Sequence, residues 1–116
     1  MAMSVLIVDD HTPFRTFAHS LLEAEGIEVA GEAADGEAAL AAADSLHPDV
    51  VLLDINLPTF DGFEVARRLA VAGGPKVVLT SSRPATDYGA RLDEAPVAGF
   101  LPKQELSGPA LLRLVS

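Results

Sequence analysis

Val50-Val51-Leu52-Leu53-Asp54 is apolar without a break until a carboxylate closes it. A strand with one solvated face alternates polar and apolar residues. An unbroken run instead suits a strand of a parallel sheet, buried on both faces. Val5-Leu6-Ile7-Val8 repeats the pattern and is followed by Asp9-Asp10, so a first strand is predicted over Ser4 to Asp9. Between these runs the period changes. Phe14, Phe17, Ala18, Leu21 and Leu22 stand at i, i+3, i+4, i+7 and i+8, one face of a helix. Thr12 is its candidate N-cap, Pro13 suits its first turn, and Gly26 ends it.

The alternation continues to the end of the chain. A second strand is predicted over Glu28 to Ala33. A helix follows from Asp35-Gly36 to Leu46, with Leu40, Ala43 and Leu46 inward and Pro48 as its stop. After the strand at Val50 to Asp54, Asp61 caps a third helix, and Glu64 makes a capping-box pair with it. Val65, Ala66 and Leu69 form that helix's apolar stripe, and Gly73-Gly74 breaks it. A fourth strand covers Lys76 to Thr80. Pro84 to Ala95 is the poorest helix, with Gly89 inside it and a thin stripe. A fifth strand covers Val97 to Leu101. A last helix starts near Ser107-Gly108-Pro109 and holds Leu111, Leu112, Leu114 and Val115. It stops after about two turns, as expected of a domain trimmed at its boundary or of a stand-alone one. The pattern is five strand–helix units in one domain, residues 1–116. It predicts an α/β fold, a parallel sheet with helices on both faces. Such sheets bind ligands beyond the carboxyl ends of their strands.

Composition narrows the function. The chain has 116 residues, 49% of them hydrophobic, enough for a core. It has no cysteine, hence no disulfide and no thiolate metal site, and its three histidines make a zinc site a poor fit. The first apolar run is too short for a signal peptide or a membrane span, so a soluble, cytoplasmic protein is expected. A formal net charge of −9 repels phosphate backbones and argues against direct nucleic-acid binding by this chain.

The strand ends carry the chemistry. Asp9 and Asp10 follow the first, Asp54 ends the third, Thr80-Ser81 ends the fourth, and Lys103 lies just past the fifth. Singly, each has an ordinary explanation. An aspartate at a strand end usually caps a turn, a threonine there reflects β-propensity, and a lone lysine is solvated. Together they place three carboxylates, one or two hydroxyls and one ammonium on one rim. Three carboxylates repel one another. An oxygen-only ligand set favours Mg²⁺ as the remedy. A carboxylate can also attack phosphorus and form an acyl phosphate. Positioning and charge neutralisation then do most of the catalysis.

With these residues in order, the chain resembles the receiver domains of two-component response regulators. Four segments carry the resemblance: Val5 to His11, Asp49 to Pro58 with Asp61-Gly62, Val78-Leu79-Thr80, and Gly99-Phe100-Leu101-Pro102-Lys103. The resemblance implies a flavodoxin-like, doubly wound five-stranded parallel sheet in the order 2-1-3-4-5. It implies Asp54 as phosphoacceptor and Asp10 as direct Mg²⁺ ligand, with Asp9 acting through water and Asn56 lending a backbone carbonyl. It implies Thr80 as switch hydroxyl, Phe100 at the aromatic switch position, and Lys103 as the partner of the phosphate. It also implies a sensor histidine kinase as donor, an output face made by the fourth helix, fifth strand and fifth helix or by the first and fifth helices in a homodimer, and no catalysis beyond the domain's own phosphorylation and dephosphorylation. The Asp-Asp-His start and the Gly-Phe-Leu-Pro-Lys ending resemble regulators that carry a C-terminal helix-turn-helix.

The pattern departs from the family in three places. Phe100 lacks the tyrosine hydroxyl. Pro102 precedes Lys103 and Gln104 follows it, so a cis bond after the lysine would be a costly non-proline one. The Thr80–Lys103 interval is one residue longer than usual in the family, with the extra residue around Glu94 to Val97, so counting back from Lys103 nominates Ser81; Thr80 is chosen because it directly follows the apolar run Val77-Val78-Leu79. A second reading is a receiver-like interaction module that never takes phosphate. A phosphatase or flavin protein is disfavoured, because Asn56 stands where a second acid is needed and Asp9 to Thr12 is not a phosphate loop.

Overall fold

The computed structural model of the chain describes residues 3–71 and 73–116. Five strand–helix units follow in order. They are β1 (Ser4–Val8), α1 (Thr12–Ala24), β2 (Glu28–Ala33), α2 (Gly36–Leu46), β3 (Val50–Asp54), α3 (Gly62–Leu69), β4 (Lys76–Ser81), α4 (Ala90–Glu94), β5 (Gly99–Pro102) and α5 (Gly108–Val115). The strands form one parallel sheet in the order β2-β1-β3-β4-β5. This is the doubly wound order expected from the sequence.

The apolar runs are continuous because both faces of the sheet are covered. Successive residues of a strand point to opposite faces. Val5, Ile7, Val50, Leu52, Val78 and Leu101 pack with Ala18 and Leu22 of α1 and Leu111 and Val115 of α5. Leu6, Val8, Val51, Leu53, Val77 and Leu79 pack with Ala39 and Ala43 of α2 and Val65, Ala66 and Leu69 of α3. All five residues of β3 are buried. Each such leucine or valine contributes about 1.5–3 kcal/mol by leaving water.

Several local expectations are corrected. The α1 N-cap is His11, not Thr12, since the chain is still extended at His11 (φ −93°, ψ 102°). No side chain caps the helix there, and Pro13 brings no N–H to its first turn. β1 ends at Val8, one residue before Asp9. Phe17 is 54% exposed and Leu46 45% exposed, because each lies at the margin of its helical stripe; Leu46 covers only the edge strand, at Gly31 of β2. Asp61 accepts from the Glu64 N–H at 3.1 Å, but the Glu64 carboxylate pairs with Arg67 and Arg68, so the cap is one-sided. β4 runs one residue further, to Ser81. β5 begins at Gly99, not Val97, because the Val97 N–H is held in a turn by the Ala95 carbonyl at 2.9 Å. The weak helix divides into a 3-10 turn (Ala85–Asp87) and the five-residue α4, separated by Gly89 at φ 55°. None of the α4 residues is buried. Among the described residues no peptide bond is cis, that after Lys103 included. Among the described residues no helix is long and apolar enough to cross a membrane.

Candidate functional site

The pleat decides which side chains meet at the carboxyl rim. Asp9, Asp54, Thr80 and Lys103 continue the alternation of Ile7, Leu52, Val78 and Leu101, so all four belong to the face covered by α1 and α5. Asp9 is 0% exposed and Asp54 is 4% exposed. Asp10, next to them, is exposed. One carboxylate oxygen from each of Asp9, Asp10 and Asp54 lies within 4.8 Å of the other two.

Among the described residues one side-chain cation, Lys103, pairs with these carboxylates. The Lys103 ammonium is 2.6 Å from Asp9 Oδ2 and 3.7 Å from Asp54 Oδ2. Asp9 Oδ1 accepts the His11 N–H at 2.8 Å. Asp9 Oδ2 is buried and has no well-aligned hydrogen bond, despite its closeness to Lys103. Asp54 Oδ1 accepts the Asn56 N–H at 3.2 Å. Burial pushes the Asp54 carboxyl above its ordinary pKa, and the Asp9 and Asp10 carboxylates push the same way. Lys103 and the Asn56 N–H oppose them. Three carboxylates against one ammonium, with a buried and poorly satisfied oxygen among them, fit a hard divalent cation.

The two hydroxyls of β4 part company. Thr80 is the direct neighbour of Asp54 in the β3–β4 register, and its Oγ1 donates to the Leu101 carbonyl at 2.6 Å. Ser81 faces the α2–α4 side. There its Oγ shares a 2.6 Å hydrogen bond with the Tyr88 hydroxyl and accepts from the Arg83 N–H at 3.0 Å. Asn56 Nδ2 donates to the same Tyr88 oxygen at 2.9 Å and to Ser81 Oγ at 3.3 Å. Phe100 packs beside this group, its ring centroid 6.3 Å from that of Tyr88, with Phe63 on the other side at 5.8 Å. The rim therefore brings Asp9, Asp10, Asp54 and Lys103 together with Thr80 adjacent. It keeps Ser81, the Asn56 side chain and Phe100 in a separate polar–aromatic cluster.

Gly62 explains how the loop after β3 closes so tightly. A Cβ there would stand 2.5 Å from the Asp54 carbonyl oxygen, so only glycine lets the start of α3 lie against Asp54. The Gly62 N–H donates to the Ile55 carbonyl at 2.8 Å.

Sequence reasoning missed three neighbours of the site. Tyr88 is the chain's one tyrosine, and its position beside Gly89, in a segment of poor helical pattern, was the available signal. Arg15 donates to the Asp9 carbonyl at 2.6 Å and to Glu32 at 3.1 Å. Glu32 also hydrogen-bonds His19 at 2.8 Å, which raises the histidine's pKa. Phe14 lies under Lys103, its ring centroid 4.6 Å from the ammonium. A groove of about 790 Å³ lies elsewhere, between α3 and α4 beside Phe63 and Arg91.

The response regulator receiver domain family matches residues 5–115. BvgA of Bordetella pertussis, named as a transcription regulator of virulence factors, is 39% identical over 106 residues, 90% of this chain and 51% of BvgA. The response regulator GacA of Pseudomonas aeruginosa is 38% identical over 103 residues, 87% of this chain and 48% of GacA. The chain spans about half the length of these curated relatives. Among solved structures, the signal receiver domain of NarL from Mycobacterium tuberculosis matches with a TM-score of 0.85 at 32% identity, covering 98% of this chain and 96% of that one.

Proposed function

The chain belongs to the response regulator receiver family, and on that premise we propose that it accepts a phosphoryl group on Asp54 from a sensor histidine kinase. The observation that carries this reading is the Lys103 ammonium within 4 Å of both Asp9 and Asp54, beside a third carboxylate. An Asp54 oxygen bonds to phosphorus as the bond from phosphorus to the kinase imidazole nitrogen breaks, and the imidazole leaves with that electron pair. Asp54 must be ionised to attack, and Lys103 counters the burial that favours its neutral form. Lys103 then faces the new phosphoryl oxygens. Thr80, on the same face as Asp54, supplies the switch hydroxyl by giving up its bond to Leu101. Asp9, Asp10, Asp54 and the Asn56 carbonyl would hold Mg²⁺, which would supply charge neutralisation for phosphoryl transfer.

The phosphorylated and free forms differ in the population of two conformations. α4, with no buried residue, is the mobile element, and Phe100 adjoins it. The output is control of transcription through an attached domain or a partner, in the cytoplasm. The chain itself catalyses only its own phosphorylation and dephosphorylation. Acetyl phosphate with Mg²⁺ tests the reading. Intact protein gains the mass of one phosphoryl group, and Asp54→Ala gains none. Equal gain in Asp54→Ala moves the acceptor elsewhere. No gain in the unaltered protein leaves a phosphorylation-independent interaction module.

A further inference from the structure

Lys103 has a third neighbour besides its two carboxylates. Its ammonium lies 4.6 Å from the centroid of the Phe14 ring, and its side chain is only 18% exposed. Phe14 belongs to the first turn of α1, five residues after Asp9. The ring therefore shares a short stretch of backbone with the carboxylate that competes for the lysine. Its other contacts are apolar: it packs on the α1/α5 core and lies 6.4 Å from Phe17.

An ammonium between two carboxylates settles on the nearer and more buried one. Here that is Asp9, at 2.6 Å, while Asp54 stands at 3.7 Å. Such a lysine is poorly placed for a phosphoryl group arriving on Asp54. A ring face attracts the same cation without neutralising it and without offering an oxygen that competes with the phosphoryl group. It also shields the ammonium from water, so that less hydration is lost when the phosphoryl oxygens arrive.

We propose that Phe14 is a positioning residue for Lys103, its ring face holding the ammonium within reach of Asp54 and so setting the rate of phosphorylation. This rests on the reading of Asp54 as phosphoacceptor. Phe14 acts through Lys103 and touches no reacting atom.

The test separates the ring's charge distribution from its bulk. Phe14→Leu keeps apolar volume and loses the ring face. Phe14→Tyr keeps the face. Mono-, di- and trifluorophenylalanine at position 14 weaken the face stepwise with little change in size. The initial rate of phosphorylation by acetyl phosphate at saturating Mg²⁺ is expected to fall with each added fluorine. It is expected to fall roughly tenfold in Phe14→Leu, from the usual strength of such contacts when partly desolvated, and to stay near the original in Phe14→Tyr. In a Lys103→Met background none of these changes matters further. A flat fluorine series, or the same loss in the Lys103→Met background, overturns the proposal and reduces Phe14 to a packing residue. The Lys103 side-chain proton resonances give a readout independent of phosphate. Ring current shifts them upfield in the unaltered protein, and Phe14→Leu removes the shift. Absence of that shift overturns the proposal whatever the rates. Failure of the unaltered protein to gain phosphate, with the shift present, overturns the acceptor reading and the rate effect with it while leaving the contact intact.

Discussion

The two halves of the carboxyl rim are built to different standards. On the β1–β3 side, Asp9 and Asp54 follow strands whose apolar residues are almost wholly buried, and α1 supplies thirteen residues of cover. On the β4–β5 side, Ser81, Tyr88 and Phe100 adjoin a five-residue helix with no buried residue, introduced by a glycine in a left-handed conformation. The first half holds its carboxylates on well-packed strands, as catalysis by positioning requires. The second is held by a few hydrogen bonds and ring contacts, which makes it the easier segment to open. The carboxylates thus sit on the rigid half, Thr80 and Lys103 meet them from the ends of β4 and β5, and the loosely held segment lies beside them.

The sharpest way to break this contrast is to remove equal apolar volume from each side. Leu53→Ala, in the middle of β3, should cost about 2–5 kcal/mol in denaturant unfolding. Leu92→Ala in α4 should cost about 1 kcal/mol or less, since its side chain is already partly in water. Similar losses would mean that α4 belongs to the same cooperative unit as β3.

Asp54→Asn probes the strain stored in the rigid half. Burial and two neighbouring carboxylates raise the folded-state pKa of Asp54 above its unfolded value. Folding is then favoured by this group below the unfolded pKa, and that contribution is lost as pH rises through the folded value. Without divalent cations, Asp54→Asn should melt a few degrees higher than the unaltered protein at neutral pH. The difference should shrink as pH is lowered through the raised pKa. A difference that grows towards acid would show that Lys103 outweighs the burial.

The smallest effect concerns Tyr88. Tyr88→Phe keeps the ring contacts with Phe63 and Phe100 and removes the hydroxyl that meets Ser81 and Asn56. Global stability should fall by about 1 kcal/mol. Amide hydrogen exchange should quicken in α4 and leave β1 and β3 unchanged. Uniform quickening across the sheet would erase the distinction between the halves.

Much of the rigid half was legible in the sequence. A strand covered on both faces must be apolar throughout, so Val5–Val8 and Val50–Leu53 announced the sheet, and the carboxylates closing those runs announced the rim. The looser half was not legible in the same way. Tyr88 meets Asn56 across 32 positions, a contact that no local period encodes. The start of β5 was displaced by a turn at Ala95-Pro96 that an apolar count does not register. Phe17 and Leu46 erred for another reason. Helical period names the direction of a stripe, while its buried width depends on how far the neighbouring layer extends. Counting back from Lys103 nominates Ser81, because of the extra residue around Glu94 to Val97, while the apolar run Val77-Val78-Leu79 nominates Thr80. The pleat assigns Thr80 to the face of Asp54 and Ser81 to the other.

The last helix is secured at both ends. At its start, Ser107 accepts the Ala110 N–H, and Glu25, from the end of α1, accepts the Gly108 N–H at 2.8 Å. At its finish, the Lys76 ammonium donates to the Val115 carbonyl at 2.7 Å. Eight residues make a rod about 12 Å long, held to the end of α1 and to the start of β4. Ends so fastened resist the fraying usual at a chain terminus.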